Sequence, residues 1–466
     1  MKKTKIICSV GPACMDEKIM SSMVLSGMNC ARINMSHSKY EDCFDVIKLV
    51  RSVRKSTGLP VAIMYDTKGP EFRLLDVKEG VILKENDEIY ISKKEVLGTK
   101  EEVSVNHPEA IDYIKVGDHV LIDNALMDLL VIEHGRDYIK CRVLNGGELK
   151  SHKTINVPGV NLYLPFISEQ DREDITFAAT HSADYIALSF VSCKQDVEAA
   201  RKLVKDAGGD ALLISKIESR TGVENIDSII KASDGIMVAR GDLGVEVPME
   251  ELPILQKMMI RKCREQGKFA IVATEMLASM YENIRPTRAE VSDIANAVLD
   301  GTDCVMLSGE TTVGKHPIEA VKYMASISEK AEEAIDYNLE NHYISSIKIT
   351  DTIAKCVVDA INYDDIKCVV ATTMTGYTAR KISNLRPGVP IIALCPSNHI
   401  AESIALNFGV IPVVVPEFSN IEDIVELSKR VAKEELDLEN KDLIIVTGGF
   451  PLGKSHATNM IRIEEI

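Results

Sequence analysis

Residues 211–240 read ALLISKIESRTGVENIDSIIKASDGIMVAR. Two short apolar runs, Ala211–Ile217 and Gly235–Arg240, flank a longer amphipathic segment. This is the pattern of a strand, a crossover helix and a second, parallel strand. It repeats in both directions along the chain. Thr4–Val10, Cys30–Asn34, Val61–Asp66, Tyr185–Phe190, Phe269–Thr274 and Cys304–Ser308 are runs of the same kind. With the first two they make eight, the number that closes a (β/α)8 TIM barrel, so the expected fold class is α/β.

Between the third and fourth runs the pattern changes. Around Phe72–Val157 apolar residues alternate at period two, as in Val81–Ser92 and His119–Leu130, with breaks at Gly117-Asp118 and Gly146-Gly147. This predicts an inserted β domain, drawn as a β-barrel lid on the side where barrels keep their active sites. Near Tyr337–Tyr343 a further α/β unit begins, with strands expected at Cys368–Thr372, Ile391–Pro396, Val410–Val415 and Leu443–Thr447. The expected division is a catalytic barrel (1–71 and 158–340), the insert (72–157) and a C-terminal α/β domain (341–466).

The 466 residues include 54 Lys and Arg against 70 Asp and Glu, a net charge of −16. Apolar residues make up 45% and charged residues 27%, as in ordinary globular proteins. So acidic a chain is poorly suited to track a nucleic-acid backbone or an anionic membrane surface. A cleft can still carry the opposite sign to the whole. The 11 cysteines form no CxxC pair, which indicates neither a zinc site nor a disulfide framework and suits a reducing compartment. The apolar run after Lys2, Lys3 and Lys5 stops at Gly11-Pro12, too short for a signal peptide, and no later run approaches ~18 residues. A cytoplasmic protein with no nucleic-acid or membrane partner is expected.

Two stretches imitate phosphate loops. Gly448–Ser455, GGFPLGKS, satisfies GxxxxGK[ST] and follows an apolar strand. What comes next, Met460–Ile463, reads as a strand and not as the helix the motif needs. A phosphate-binding loop without hydrolysis is the better reading. Gly309–Lys315, GETTVGK, is followed by His316 where Ser or Thr is required. It marks a loop and helix start after the eighth strand, a common phosphate-binding place in barrels.

Polar residues at the carboxyl ends of the strands carry the chemistry. Arg32, Asn34 and Ser36 share one face if the chain stays extended. Lys216 and Glu218 stand at i, i+2 at the end of the fifth run, and Arg240 and Asp242 at the end of the sixth. Asp66 ends the third run and Thr274 the seventh. A single Lys–Glu or Arg–Asp pair is more often a structural ion pair than a catalytic one. Five strands arranged this way are harder to read as structural. Glu218 and Asp242 offer hard oxygens for Mg²⁺, which takes one or two carboxylates and completes its shell with substrate and water. Arg32 and Lys216 would then neutralise phosphate oxygens, and with a Thr hydroxyl nearby the set suits phosphoryl transfer.

These residues lie in strings that resemble the pyruvate kinase family: TKIICSVGPAC, ARINMSHS, DTKGPEFR, SKIES, DGIMVARGDLGVEVP, ATEMLASM and RPTRAEVSDIANAVLDGTDCVMLSGET. The resemblance spans essentially the whole chain. It implies transfer of the phosphoryl group of phosphoenolpyruvate to ADP, giving pyruvate and ATP, with Mg²⁺ (or Mn²⁺) and K⁺ as cofactors and a homotetramer as the assembly. By the same resemblance Glu218 and Asp242 are Mg²⁺ ligands, and Lys216 stabilises the transferring phosphoryl group and the enolate. Thr274 serves proton delivery, Arg32 binds phosphate, and the backbone at Gly241 and Asp242 seats the substrate carboxylate. Asn34, Ser36, Asp66 and Thr67 match monovalent-cation ligands. Asn34, His37, Arg73 and Lys153 match nucleotide-side positions, with Lys153 coming from the lid.

In the C-terminal domain Thr373, Thr375, Gly376 and Thr378 resemble the family's effector loop, and Lys454 and Ser455 of GGFPLGKS its neighbour. A sugar phosphate or nucleotide effector is implied. Glu71 stands where an acidic residue goes with K⁺ dependence and a Lys can replace the ion. Departures are Glu275 for the usual Gln, Ser192-Cys193 for Arg-Lys, and Ser9 for Thr. On a strand, Glu275 would point away from Thr274. The rival readings are another barrel enzyme of phosphoenolpyruvate or enolate chemistry, which needs no nucleotide, and a non-enzymatic binder of phosphorylated metabolites.

Overall fold

The computed structural model describes residues 1–337, 349–416, 420–451 and 458–466. Eight parallel strands close into a barrel: β1 (Lys5–Ser9), β2 (Met28–Asn34), β3 (Ala62–Asp66), β4 (Tyr185–Leu188), β5 (Leu212–Ile217), β6 (Gly235–Ala239), β7 (Phe269–Ala273) and β8 (Cys304–Leu307). They pair in sequence order, and β8 pairs with β1. Every residue of β1, β3, β6 and β7 is buried. The two-residue repeat divides them between two cores. Ile7, Met64, Ile214, Met237 and Ile271 fill the barrel interior, while Ile6, Cys8, Ile63, Leu213 and Val238 pack against the surrounding helices. A strand buried on both faces has no polar side to show, which is why these runs read as continuously apolar.

Five of the eight strands end one or two residues earlier than the sequence suggests, and the other three end where expected. β6 stops at Ala239, and Arg240–Glu246 turns at once into a helix, so Arg240 and Asp242 do not share a strand face. β7 stops at Ala273, and Thr274 and Glu275 take φ of 72° and 55°. Strand alternation therefore does not orient Glu275, although its side chain is exposed. β2 stops at Asn34, whose side-chain oxygen accepts the Ser36 N–H at 3.1 Å. That local bond turns the chain and takes Ser36 off the face of Arg32 and Asn34.

The insert is a six-stranded sheet in the order 155–156, 119–122, 127–134, 138–145, 88–92, 102–104, with a two-stranded ribbon of 147–149 and 81–83. Its two edges are joined by one segment. Leu74 N–H bonds to Lys153 O, and Leu75 N–H to Ser104 O, each at 2.9 Å. The sheet thereby closes on itself around a core of its own, with Ile89, Val103, Leu129 and Ile139 at its centre.

The C-terminal domain has a five-stranded sheet in the order 410–414, 391–395, 366–372, 443–449, 458–465, the last strand antiparallel. Because 458–465 folds back on 443–449, the GGFPLGKS stretch joins two strands and is not followed by a helix. Lys454 and Ser455 lie outside the described residues, as does the junction expected at 340–341. This domain stops the amino-terminal mouth of the barrel. Ala405 and Leu406 belong to the same core as the barrel interior. The Tyr185 hydroxyl donates to Ser403 O at 2.7 Å, and Arg386 pairs with Asp303 at 2.9 Å, both side chains buried.

Candidate active site at the carboxyl ends of the strands

At the other mouth of the barrel a set of charged groups converges. Lys216, on β5, places Nζ 3.0 Å from Asp66 Oδ1, 3.0 Å from Glu218 Oε1 and 2.6 Å from Ser189 Oγ. Asp66, the last residue of β3, is 1% exposed, and its second oxygen accepts from Arg32 Nε at 2.7 Å. Arg32 Nη1 donates to Ser9 Oγ at 2.7 Å. The second Glu218 oxygen accepts the Phe190 N–H at 2.7 Å, with Phe190 itself held at φ 56°.

The charges are set by competition between burial and neighbours. Burial opposes the Lys216 ammonium, but Asp66 and Glu218 together overcome it and hold the group above the ordinary lysine range. Burial likewise opposes the Asp66 carboxylate, and Arg32 and Lys216 overcome it, so the group sits below its usual range. At Glu218 burial prevails over Lys216, with Asp242 adding to the push, and the carboxyl is raised. Arg32 and Lys216 set against Asp66, Glu218 and Asp242 leave one negative charge in excess. A buried carboxylate in that position, whose one cationic partner is a shared lysine, fits a hard divalent cation. Glu218 and Asp242 both line a cleft of about 420 Å³ between barrel and insert.

Thr274 sits at the same mouth. Its Oγ1 donates to Ala273 O at 2.6 Å and accepts the Gly241 N–H at 2.8 Å. Its own carbonyl accepts Arg240 Nη2 at 2.6 Å, while Arg240 Nη1 bonds both oxygens of Asp293 at 2.7 Å. Arg240 is thus a clamp on the Thr274 backbone and forms no pair with Asp242. The left-handed φ values of Phe190, Thr274 and Glu275 gather backbone strain here, as functional sites often do. Gly69, at φ 73° in the segment leading to the insert, has no room for a Cβ, which would lie 2.8 Å from the Cβ of Ser189.

Thr67 Oγ1 accepts the Ser189 N–H at 3.2 Å, which puts Thr67 beside Asp66 and Lys216. Ser36, His37 and Arg73 line a second cleft of about 340 Å³ together with Lys68, Asn106 and His152. Lys153 is not on its wall: its Nζ pairs with Asp123 Oδ1 at 2.8 Å within the insert. Arg73 is held by Glu71 through two bonds, of 2.7 and 2.8 Å. In the C-terminal domain Gly376, at φ 77°, precedes the helix Tyr377–Asn384. Thr378 Oγ1 bonds Thr458 Oγ1 at 2.7 Å, and Thr375 O accepts Arg380 Nη2. Lys315, of the GETTVGK stretch, pairs with Glu282. Ser192 and Cys193 both direct their N–H groups to Asp196, capping the helix Lys194–Asp206.

Comparison with known proteins bears directly on this geometry. The sequence model of the pyruvate kinase barrel domain matches residues 1–321, and that of the pyruvate kinase alpha/beta domain matches 351–464. The chain belongs to the pyruvate kinase family. A pyruvate kinase of Clostridium perfringens is 42% identical over the whole of both chains. One of Staphylococcus aureus is 42% identical over 99% of this chain and 80% of its own. The crystal structure of a pyruvate kinase from Cryptosporidium parvum superposes with a TM-score of 0.94 at 37% identity, covering 100% of this chain and 96% of that one. As a member of the pyruvate kinase family the chain is a phosphotransferase that acts on phosphoenolpyruvate and ADP, and both rival readings give way. No helix among the described residues is long and apolar enough to cross a membrane.

Sequence reasoning missed two residues of this pyruvate kinase site. Ser189 accepts from Lys216 and donates to Thr67 O at 2.7 Å. Ser9, which stands where the family has Thr, is the partner of Arg32. Both are the first polar residues at strand ends, and that position was the available signal.

Proposed function

We propose that phosphoryl transfer takes place between Arg32, Lys216 and Thr274. The observation that carries this reading is the convergence of Lys216, Asp66 and Glu218 within 3.0 Å, beside the Arg32–Asp66 pair. Glu218 and Asp242 would hold Mg²⁺ or Mn²⁺, and the oxygens of Asn34, Ser36, Asp66 and Thr67 would hold K⁺. These cations, when bound, screen the negative charge that two anionic substrates bring into the cleft.

The chain's own groups do the rest. The N–H groups at Gly241 and Asp242 seat the substrate carboxylate, with Thr274 sharing its bond to Gly241. Arg32 and Lys216 hold the phosphoryl oxygens in line for attack by ADP. As the bond to the enol oxygen breaks, Lys216 remains beside the enolate that forms. The Thr274 hydroxyl, working through water, passes a proton to the enolate carbon, and collapse to the ketone gives pyruvate. Asn34, His37 and Arg73 face the nucleotide, and Lys153 joins them from the insert, which acts as a lid over 72–157.

The same reading divides the chain into a barrel (1–71 and 158–340), the lid and an effector domain (341–466). It places a phosphorylated metabolite, a sugar phosphate or nucleotide, at Thr373, Thr375, Gly376 and Thr378, with Lys454 and Ser455 beside it. It takes the enzyme to be a cytoplasmic homotetramer. Glu71 goes with a K⁺ requirement. A coupled assay of ADP-dependent pyruvate release, run with and without K⁺ and across a panel of phosphorylated metabolites, tests the whole. Full activity without K⁺, or no response to any metabolite, removes the corresponding part.

A further inference from the structure

The returning edge of the lid meets the barrel at one polar contact, just before the junction at 157–158. Asn156 Nδ2 donates to Glu246 Oε1 at 2.9 Å. Among the described residues no other hydrogen bond or ion pair joins the lid to the barrel outside the connecting segments. Both ends of this bond matter by position. Asn156 sits on the edge strand Ile155–Asn156, paired with Leu121 and three residues past Lys153. Glu246 is the last residue of the short helix that starts at Arg240, one turn beyond Asp242 on the same face. Asn156, Glu246, Asp242 and Glu218 all line the cleft of about 420 Å³.

We propose that the Asn156–Glu246 hydrogen bond is the latch of the closed lid, and that Asn156 is a positioning residue for phosphoryl transfer. The bond fixes the edge strand that follows Lys153 against the helix that carries Asp242, so lid closure and metal-ligand placement are one event. The proposal rests on the reading of Asp242 as a metal ligand and of Lys153 as nucleotide-facing. The phosphoenolpyruvate carboxylate rests on the same helix at Gly241 and Asp242, so the latch acts on both substrates, and most strongly on ADP, which alone meets the lid.

The test is a donor–acceptor exchange in the full-length enzyme. Asn156→Asp sets two carboxylates face to face, and the double variant N156D/E246Q restores an amide–carboxylate bond with the original net charge. We expect Asn156→Asp to lower kcat and raise KM for ADP by about tenfold or more in kcat/KM, with a smaller loss of phosphoenolpyruvate affinity in the absence of ADP. Asn156→Ala should do the same more weakly, and the double variant should return to within about threefold of the parent. Parental kinetics in both single variants, or a double variant as slow as Asn156→Asp, overturns the latch. Direct Mn²⁺ titration of Asp242→Asn separates the two readings. Retained Mn²⁺ binding removes the ligand role of Asp242, and with it the proposal's basis. Lost Mn²⁺ binding beside an unmoved Asn156→Asp removes the latch alone.

Discussion

Arg32 and Asp66 are joined at 2.7 Å across the neighbouring strands β2 and β3, at a point where the Asp66 side chain is 1% exposed. The pair is more than a local ion bridge, because the other Asp66 oxygen holds Lys216. One carboxylate thus orients both cations of the site. Asp66→Ala strips two buried cations of their partner at once. Breaking a buried pair costs about 3–5 kcal/mol, so chemical denaturation should show a loss of that order together with a collapse of activity. Stability within the error of the parent would show that water replaces the carboxylate without penalty.

Lys216→Met removes the ammonium and keeps most of the side-chain bulk. Turnover should fall by about a thousandfold or more, the scale seen when a preorganised charge is taken from a transition state. Circular dichroism and Mn²⁺ binding should stay near those of the parent, since Glu218 and Asp242 remain. Near-normal turnover would overturn the role given to this residue.

Asp184 gives a pH prediction. Its carboxylate accepts the Ile63 N–H at 2.8 Å and faces Arg54 at 3.6 Å, yet burial dominates and pushes the group up to about 7. In the unfolded chain it titrates near the ordinary value of about 4. Between those values the folded protein keeps a proton that the unfolded chain has released. Stability from this group is therefore complete at low pH and is lost as pH rises toward 7, by up to about 4 kcal/mol. Asp184→Asn should flatten the slope of unfolding free energy over that window. An unchanged slope would assign the pH dependence to other groups.

Thr378 lies 7% exposed at the start of its helix, with its hydroxyl bonded to Thr458. Thr378→Ala should raise the concentration of sugar phosphate needed for half activation by about tenfold, the scale of one lost hydrogen bond. A response identical to that of the parent across candidate sugar phosphates would place the effector elsewhere.

The barrel was legible because its strands are covered on both faces, and such strands leave unbroken apolar runs in the sequence. The insert was legible through its alternation at period two. The polar residues at strand ends were legible as a set, and Lys216, Glu218, Asp66 and Arg32 do meet. What could not be read was local geometry past the last strand residue. The turn at Asn34 rests on a bond to Ser36 two residues on, and the helix at Arg240 and the left-handed Thr274 are tied to each other across neighbouring strand ends, and no periodicity records either. For the same reason Ser189 and Ser9 looked ordinary. Their value lies in facing Lys216 and Arg32, residues far from them in the chain.

The stopper formed by Ala405 and Leu406 has a consequence for anyone who would dissect this enzyme. A fragment ending after the barrel would expose Tyr185, Phe269 and Cys304 at an open apolar mouth, and would seek a cover from other copies of itself. The catalytic half cannot be harvested as a free-standing catalyst. Any exchange of the C-terminal domain for another module has to bring along a residue pair able to fill the same hole.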